Sequence, residues 1–207
     1  MKILLTGFEP FGGSPLNPSE QVVKALQAAP PPGMDLVTLI LPVDGSQAPP
    51  ALLQALQIHP PQAVVCLGEA GRAVISLERV ALNLLDYRIP DNRGTTHTDQ
   101  PVRADGPAAY FSTLPLRPLQ SALLAAGIPC ELSLTAGAYL CNQVFYTLMD
   151  ALARQDRQIP AGFIHLPSLP EQVALRAVSQ PSLGLETQLR AIRLVMEILA
   201  NPETSGG

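Results

Sequence analysis

Tryptophan is missing from this 207-residue chain, and aromatic residues of all kinds make up only 4% of it. Charged residues are sparse at 14%, no block of lysine and arginine stands anywhere, and the formal net charge is −4. With neither a basic surface nor stacking rings, the composition argues against binding to nucleic acid or to an anionic membrane. Long apolar runs are missing too. The opening MKILLTGFEPFGG has one lysine and the brief run Ile3–Leu5 before Thr6, too short for a signal-peptide core or a membrane span. Cysteines number three, Cys66, Cys130 and Cys141. An odd count without paired short spacings excludes a disulfide framework and a zinc cluster as first expectations. The expected compartment is a reducing cytoplasm, where a free thiol persists. Internal repeats are lacking.

What remains is an apolar chain, 47% hydrophobic, with 22 prolines scattered through it as stiff loops and helix starts. Its length suits one domain over residues 1–207, burying roughly 70% of the unfolded surface. Strands are expected at Lys2–Thr6, Leu36–Pro42, Ala63–Leu67, Glu131–Leu134 and Gly162–Leu166, with a mostly extended stretch over Ile75–Leu85. Helices are expected from Pro18 to about Ala29, over Gln47–Ile58 and Leu119–Ala126, from about Cys141 onward, and over Leu185–Leu199. Asn17 fits an N-cap, with Pro18 at the first helical position and Glu20 placed to complete a capping box. Pro49 and Pro50 fall in a first turn, where a missing N–H matters least. Asp86–Gly106 is a long polar segment of the kind that forms lids or is disordered, and Asn201–Gly207 reads as a frayed tail. Alternating strands and helices predict an α/β protein: a three-layer α/β/α sandwich around a twisted, mostly parallel sheet.

Sites in such sheets gather beyond the carboxyl ends of strands. Four segments there carry unusual residues: GFEPFGG, GEAGR, TAGAYLC and HLPSLP. GFEPFGG lacks the lysine and the glycine spacing of a phosphate loop. In TAGAYLCNQVFYTLMD a helical apolar stripe starts near Cys141. First-turn N–H groups have no internal partner and carry partial positive charge. A thiolate there is expected to be stabilised, and the same N–H groups can hold an oxyanion. The alternative is a small buried hydrophobe, which is the expected reading of Cys66 and Cys130. A nucleophilic thiol needs a base. Of three histidines, His59 ends a helix and His97 lies in the polar segment, whereas His165 ends an apolar strand at the expected site edge. Glu78 is the candidate to orient the imidazole, although beside Arg79 it also reads as a surface ion pair.

Together these residues resemble the pyrrolidone-carboxylate peptidase family of cysteine peptidases, pyroglutamyl peptidase type I, over nearly the whole chain. The resemblance is carried by GFEPFGG followed by NPS, by ISLERVALN followed by RIPDN, by LTAGAYLCN, and by His165 standing 24 positions after Cys141. It implies that Cys141 is the nucleophile, His165 the base and acid, and Glu78 the orienting carboxylate. It also implies that Phe8 and Phe11 wall a slot for the pyroglutamyl ring of peptide substrates, and that the family's α/β/α sandwich assembles as a homotetramer with no metal or cofactor. One departure stands out. Gly68-Glu69-Ala70-Gly71-Arg72 replaces the family's usual Gly-Gln-Ala-Gly-Gly-Arg, so Glu69 occupies a pocket position normally held by glutamine. Two rivals follow: a thiol amidase or acyltransferase with another acyl group, and a non-catalytic ligand-binding protein in which Glu69 marks lost activity.

Overall fold

The computed structural model describes residues 1–174 and 180–201. In chain order the elements are β1 Lys2–Phe8, α1 Pro18–Ala28, β2 Asp35–Leu41, α2 Ala48–Ile58, β3 Ala63–Glu69, β4 Ile75–Glu78, β5 Val80–Leu82, β6 Ala109–Phe111, α3 Leu116–Ala125, β7 Cys130–Ser133, α4 Leu140–Arg154, β8 Ala161–Leu166, α5 Pro170–Val173 and α6 Leu185–Ala200. Six strands form one sheet in the order β2-β1-β3-β8-β4-β7, and β5 and β6 form a separate antiparallel pair.

Alternation along the central strands divides the core in two. Ile3, Leu5, Val65, Leu67 and Ile164 face α1, α3 and α6, which contribute Val22, Leu26, Leu123, Ile192, Val195 and Met196. Leu4, Val64, Cys66 and Phe163 face α2 and α4, which contribute Leu52, Leu56, Val144, Phe145 and Leu148. β1, β3 and β8 are therefore covered on both sides, which is why they read as continuous apolar runs. The α/β/α sandwich expected from the sequence is the fold observed, and the helix expected over Leu185–Leu199 is present as α6, its apolar side chains Ile192, Val195, Met196 and Leu199 packed into the first core.

Several local expectations change. β4 runs antiparallel to β8, and β7 runs parallel to β4, so this edge of the sheet is reversed. Asn17 does cap α1, accepting the Ser19 N–H at 3.0 Å, but Glu20 pairs with Lys24 at 2.8 Å instead of closing a capping box. Ile75–Leu85 is split between two sheets. Beyond Asn201, the expected frayed tail lies outside the described residues.

The polar segment after β5 is pinned down, not free. Asp91 accepts the N–H groups of Arg93 at 2.9 Å, Thr95 at 2.8 Å and Gly45 at 3.1 Å. Asn92 donates to Glu9 at 3.0 Å, and Glu9 also accepts the Val43 N–H at 2.9 Å. Burial works to raise the Asp91 carboxyl, but its three backbone donors outweigh that and hold it below the usual carboxylate range. A depressed folded value means stability that is fully present above the unfolded carboxylate range, near pH 4, and lost as pH falls through the folded value. Asp91→Asn should therefore cost on the order of 2 kcal/mol at neutral pH and flatten the acid side of the stability profile. Thermal unfolding between neutral pH and pH 2 checks this; an unchanged acid slope would show that the carboxylate does not hold the segment.

Candidate active site

His165 is the next-to-last residue of β8, and its register partner in β3 is Gly68. Neighbouring strands lie about 4.8 Å apart, and partners point to the same face. A Cβ on Gly68 would stand only 2.7 Å from the sulfur of Cys141 and 2.8 Å from the Phe163 ring. The missing side chain is thus what lets the sulfur rest on the sheet beside the histidine strand. Any larger residue at position 68 would displace Cys141 or Phe163.

Glu78 reaches the same place from the opposite direction. It pairs with Phe163 in the antiparallel β4–β8 ladder, while Ser76 pairs with His165, so Glu78 and His165 are diagonal neighbours on one face. The His165 Nδ1 lies 2.8 Å from Glu78 Oε1, with the carboxylate fully buried and the histidine nearly so. Arg79, the sequence neighbour, is not the ion-pair partner. Arg72 is, with Nη1 3.0 Å from the same Oε1. Glu78 Oε2 is buried without a hydrogen-bond partner among the described residues.

Cys141 is the second residue of α4. Its turn includes Gly137 at φ 78°, a conformation that suits glycine. Tyr139, the N-cap, is extended and places no side-chain acceptor over the first-turn N–H groups. The expected easily ionised thiol is nevertheless not what this environment makes. Burial first, then the carboxylates of Glu78 and Glu69, push the Cys141 thiol up to about 12, against an opposing pull from its own backbone N–H. The helix-start effect is real in sign but smaller than desolvation and two nearby negative charges. Cys66 is wholly buried and is also pushed up to about 12 by burial; Cys130 is raised by burial as well.

Cys141, His165, Phe11, Glu69, Arg72 and Arg88 line an open cleft of about 520 Å³. A small apolar recess of about 40 Å³ shares Phe11, Glu69, Tyr139 and Cys141 with it, and adds Phe8 and Val43. The six residues singled out in the sequence thus converge: Cys141, His165, Phe11 and Glu69 on the cleft, Phe8 on the recess, and Glu78 behind His165. Glu69 is held in place, accepting from Ser168 Oγ at 2.6 Å and from Gln172 Nε2 at 3.1 and 3.2 Å. His97 does not line the cleft; its Nδ1 lies 2.7 Å from Gln100 Oε1. Among the described residues no His, Cys, Asp and Glu group could hold a metal ion, and no helix is long and apolar enough to cross a membrane. A larger cavity of about 860 Å³, around Met1, Pro61, Pro118, Pro160 and Leu199, presents no side-chain acid, base or nucleophile.

Sequence reading missed several residues that build this site. Tyr87 donates to Gln143 at 2.7 Å, and Gln143 in turn donates to the Gly45 carbonyl at 3.0 Å. Tyr139 donates to the Pro90 carbonyl at 3.1 Å, and its ring packs on Tyr87 at 4.7 Å. These contacts tie the cysteine turn to the polar segment. Their one sequence signal was the presence of tyrosines inside stretches already marked by other residues.

The fold has close counterparts among solved structures. A point mutant of pyrrolidone carboxyl peptidase from Pyrococcus furiosus superposes with a TM-score of 0.93 at 37% identity, covering 98% of this chain and 99% of that one. Pyroglutamyl peptidase I from Bacillus amyloliquefaciens gives 0.89 at 40% identity, covering 94% of each. A relative named pyrrolidone-carboxylate peptidase, from Gloeobacter violaceus, is 50% identical over 204 residues, 98% of both chains. The chain is therefore a peptidase, a hydrolase built on an α/β/α sandwich. The family model for pyroglutamyl peptidase matches residues 1–201, and the chain belongs to that family.

Proposed function

We propose that the protein hydrolyses the bond after an amino-terminal pyroglutamyl residue of peptides and proteins, as an omega-type exopeptidase with a Cys141–His165–Glu78 triad. One observation carries this reading: a buried carboxylate 2.8 Å from the imidazole Nδ1, with the histidine in register beside the glycine on which the cysteine sulfur rests. Phe8 and Phe11 wall the recess that would take the flat, uncharged lactam ring.

Because the thiol is held protonated, no standing thiolate starts the reaction. His165 Nε2 takes the Cys141 proton as the sulfur bonds to the pyroglutamyl carbonyl carbon. The carbonyl oxygen becomes an oxyanion facing the first-turn N–H groups of α4. The imidazolium gives its proton to the leaving amine, the C–N bond breaks, and a thioester remains. Water loses a proton to His165 and attacks the thioester; Cys141 leaves as thiolate and recovers that proton, releasing pyroglutamate. Glu78 holds Nδ1–H and stabilises the imidazolium in both halves. The reaction calls on no metal or cofactor and no nucleic acid. The working form is a cytoplasmic homotetramer of one-domain chains. Exposed apolar side chains such as Phe111 and Leu134 support self-association, and sedimentation showing only monomer at micromolar concentration contradicts it.

The test is turnover of a chromogenic pyroglutamyl anilide before and after iodoacetamide. Cys141 should be labelled ahead of buried Cys66, with activity lost in step. In the free protein the labelling rate should keep climbing with pH above 8, because thiolate stays scarce. Labelling of Cys66 first with activity retained would remove Cys141 from the mechanism.

A further inference from the structure

Glu78 has two positively charged or chargeable neighbours on one oxygen. Oε1 takes both His165 Nδ1 at 2.8 Å and Arg72 Nη1 at 3.0 Å, while Oε2 is buried and unpartnered among the described residues. A fully buried carboxylate is costly unless a counter-charge accompanies it. In the resting state His165 must be neutral, since it has to accept the thiol proton. Of its two neighbours on Oε1, Arg72 then supplies the full positive charge.

The protonation state of Glu78 decides which nitrogen of His165 carries the hydrogen. An ionised Glu78 can only accept, so Nδ1 is protonated and Nε2 has a free lone pair for the Cys141 proton. A protonated Glu78 would donate to Nδ1 and leave the hydrogen on Nε2, where it blocks proton abstraction. Other titratable and charged groups stand around this pair. Glu69 comes from β3, and Glu131, on β7, lies 3.6 Å from Arg72; Arg88 lines the cleft from the polar segment, and Cys141 faces it from α4. Arg72 has a second hold: its Nη2 donates to the Thr135 carbonyl at 2.8 Å, in the turn that leads to Cys141.

We propose that Arg72 is a positioning residue of this peptidase: it keeps Glu78 ionised when His165 is neutral, so that the imidazole presents Nε2 as a base, and it ties that carboxylate to the cysteine turn. Arg72 lies in the shortened segment after β3 and is part-exposed to the cleft, yet it acts on the reaction through Glu78. The inference rests on the Cys141–His165–Glu78 reading.

The experiment is a double-mutant cycle on kcat and KM for a pyroglutamyl anilide: Arg72→Gln, Glu78→Gln and the pair, with Arg72→Lys alongside. Arg72→Gln should lower kcat at least about tenfold, within the range general-base losses span, with KM changed much less. The pair should be no worse than Glu78→Gln alone, because both changes disable the same carboxylate. Arg72→Lys should keep most of the turnover, and millimolar guanidinium should restore part of it to Arg72→Ala through the open cleft. Circular dichroism confirms that each variant is folded. If Arg72→Gln is misfolded, Arg72→Lys and the guanidinium rescue decide. Losses that multiply in the pair, or full kcat in Arg72→Gln while Glu78→Gln is impaired, overturn the role of Arg72 alone. Full kcat in Glu78→Gln overturns the triad reading, and Arg72 with it.

Discussion

His165→Ala should turn over a pyroglutamyl anilide about a hundred- to ten-thousandfold more slowly than the unaltered protein, the range a positioned acid–base group contributes. The loss is expected to be heavy here because His165 has to work twice. The Cys141 thiol is pushed up to about 12 by burial, Glu78 and Glu69, so without a proton acceptor almost no nucleophile exists at neutral pH. Without imidazolium, the leaving amine has no donor either. Glu78→Gln should lower kcat more than it changes KM. The amide keeps the shape of the carboxylate but removes the charge opposite the imidazolium, and its NH₂ can turn to Nδ1 and fix the wrong tautomer. Steady-state kinetics on both variants check this. Full kcat in Glu78→Gln would reduce Glu78 to a structural ion-pair partner of Arg72.

The parts of this site that were legible in sequence are those with local causes. Apolar runs bounded by glycine and proline marked β1, β3 and β8, and 3.6-residue periodicity marked α4 and α6. Asn17-Pro18 marked the start of α1 through the chemistry of one cap. Nothing local encodes the direction of a four-residue strand, so the reversal of β4 and β7 was hidden; it follows from where the loop after β3 delivers the chain. β5 and β6 have three residues each, too few to show alternation. The expected contact of Glu78 with His165 is present at 2.8 Å; only the rival reading, an ion pair beside Arg79, fails, and local geometry already spoke against it. Adjacent residues of an extended chain point to opposite faces, so Arg79 could not share a face with Glu78, whereas Arg72 arrives from the preceding loop. The thiol was misjudged for a different reason. A helix start is visible in sequence, but the two carboxylates that oppose ionisation come from β3 and β4, and only the fold puts them beside α4.

Pyroglutamyl peptides should be cleaved at least about a thousandfold faster, in kcat/KM, than matched peptides beginning with glutamine. The lactam nitrogen of pyroglutamate is uncharged, whereas an ordinary amino terminus brings an ammonium into a recess walled by Phe8, Phe11, Val43 and Tyr139. Burying that charge without a partner costs several kcal/mol, and each ~1.36 kcal/mol is about tenfold in rate. Prolyl peptides offer a similar ring, but with a charged nitrogen and no lactam carbonyl, so they should be poor as well. Among the described residues of the recess, Glu69 is the carboxylate that works against this discrimination. Its charge is partly committed, since Ser168 and Gln172 both donate to it. The same charge helps to hold the Cys141 thiol protonated. Glu69→Gln should therefore do two separable things: widen the preference for pyroglutamyl over glutaminyl and prolyl anilides, and speed alkylation of Cys141 at a given pH. Comparable kcat/KM for all three anilides in the unaltered protein would rule out the lactam recess. A widened preference with unchanged alkylation would mean that Glu69 meets the substrate's ammonium but does not act on the thiol.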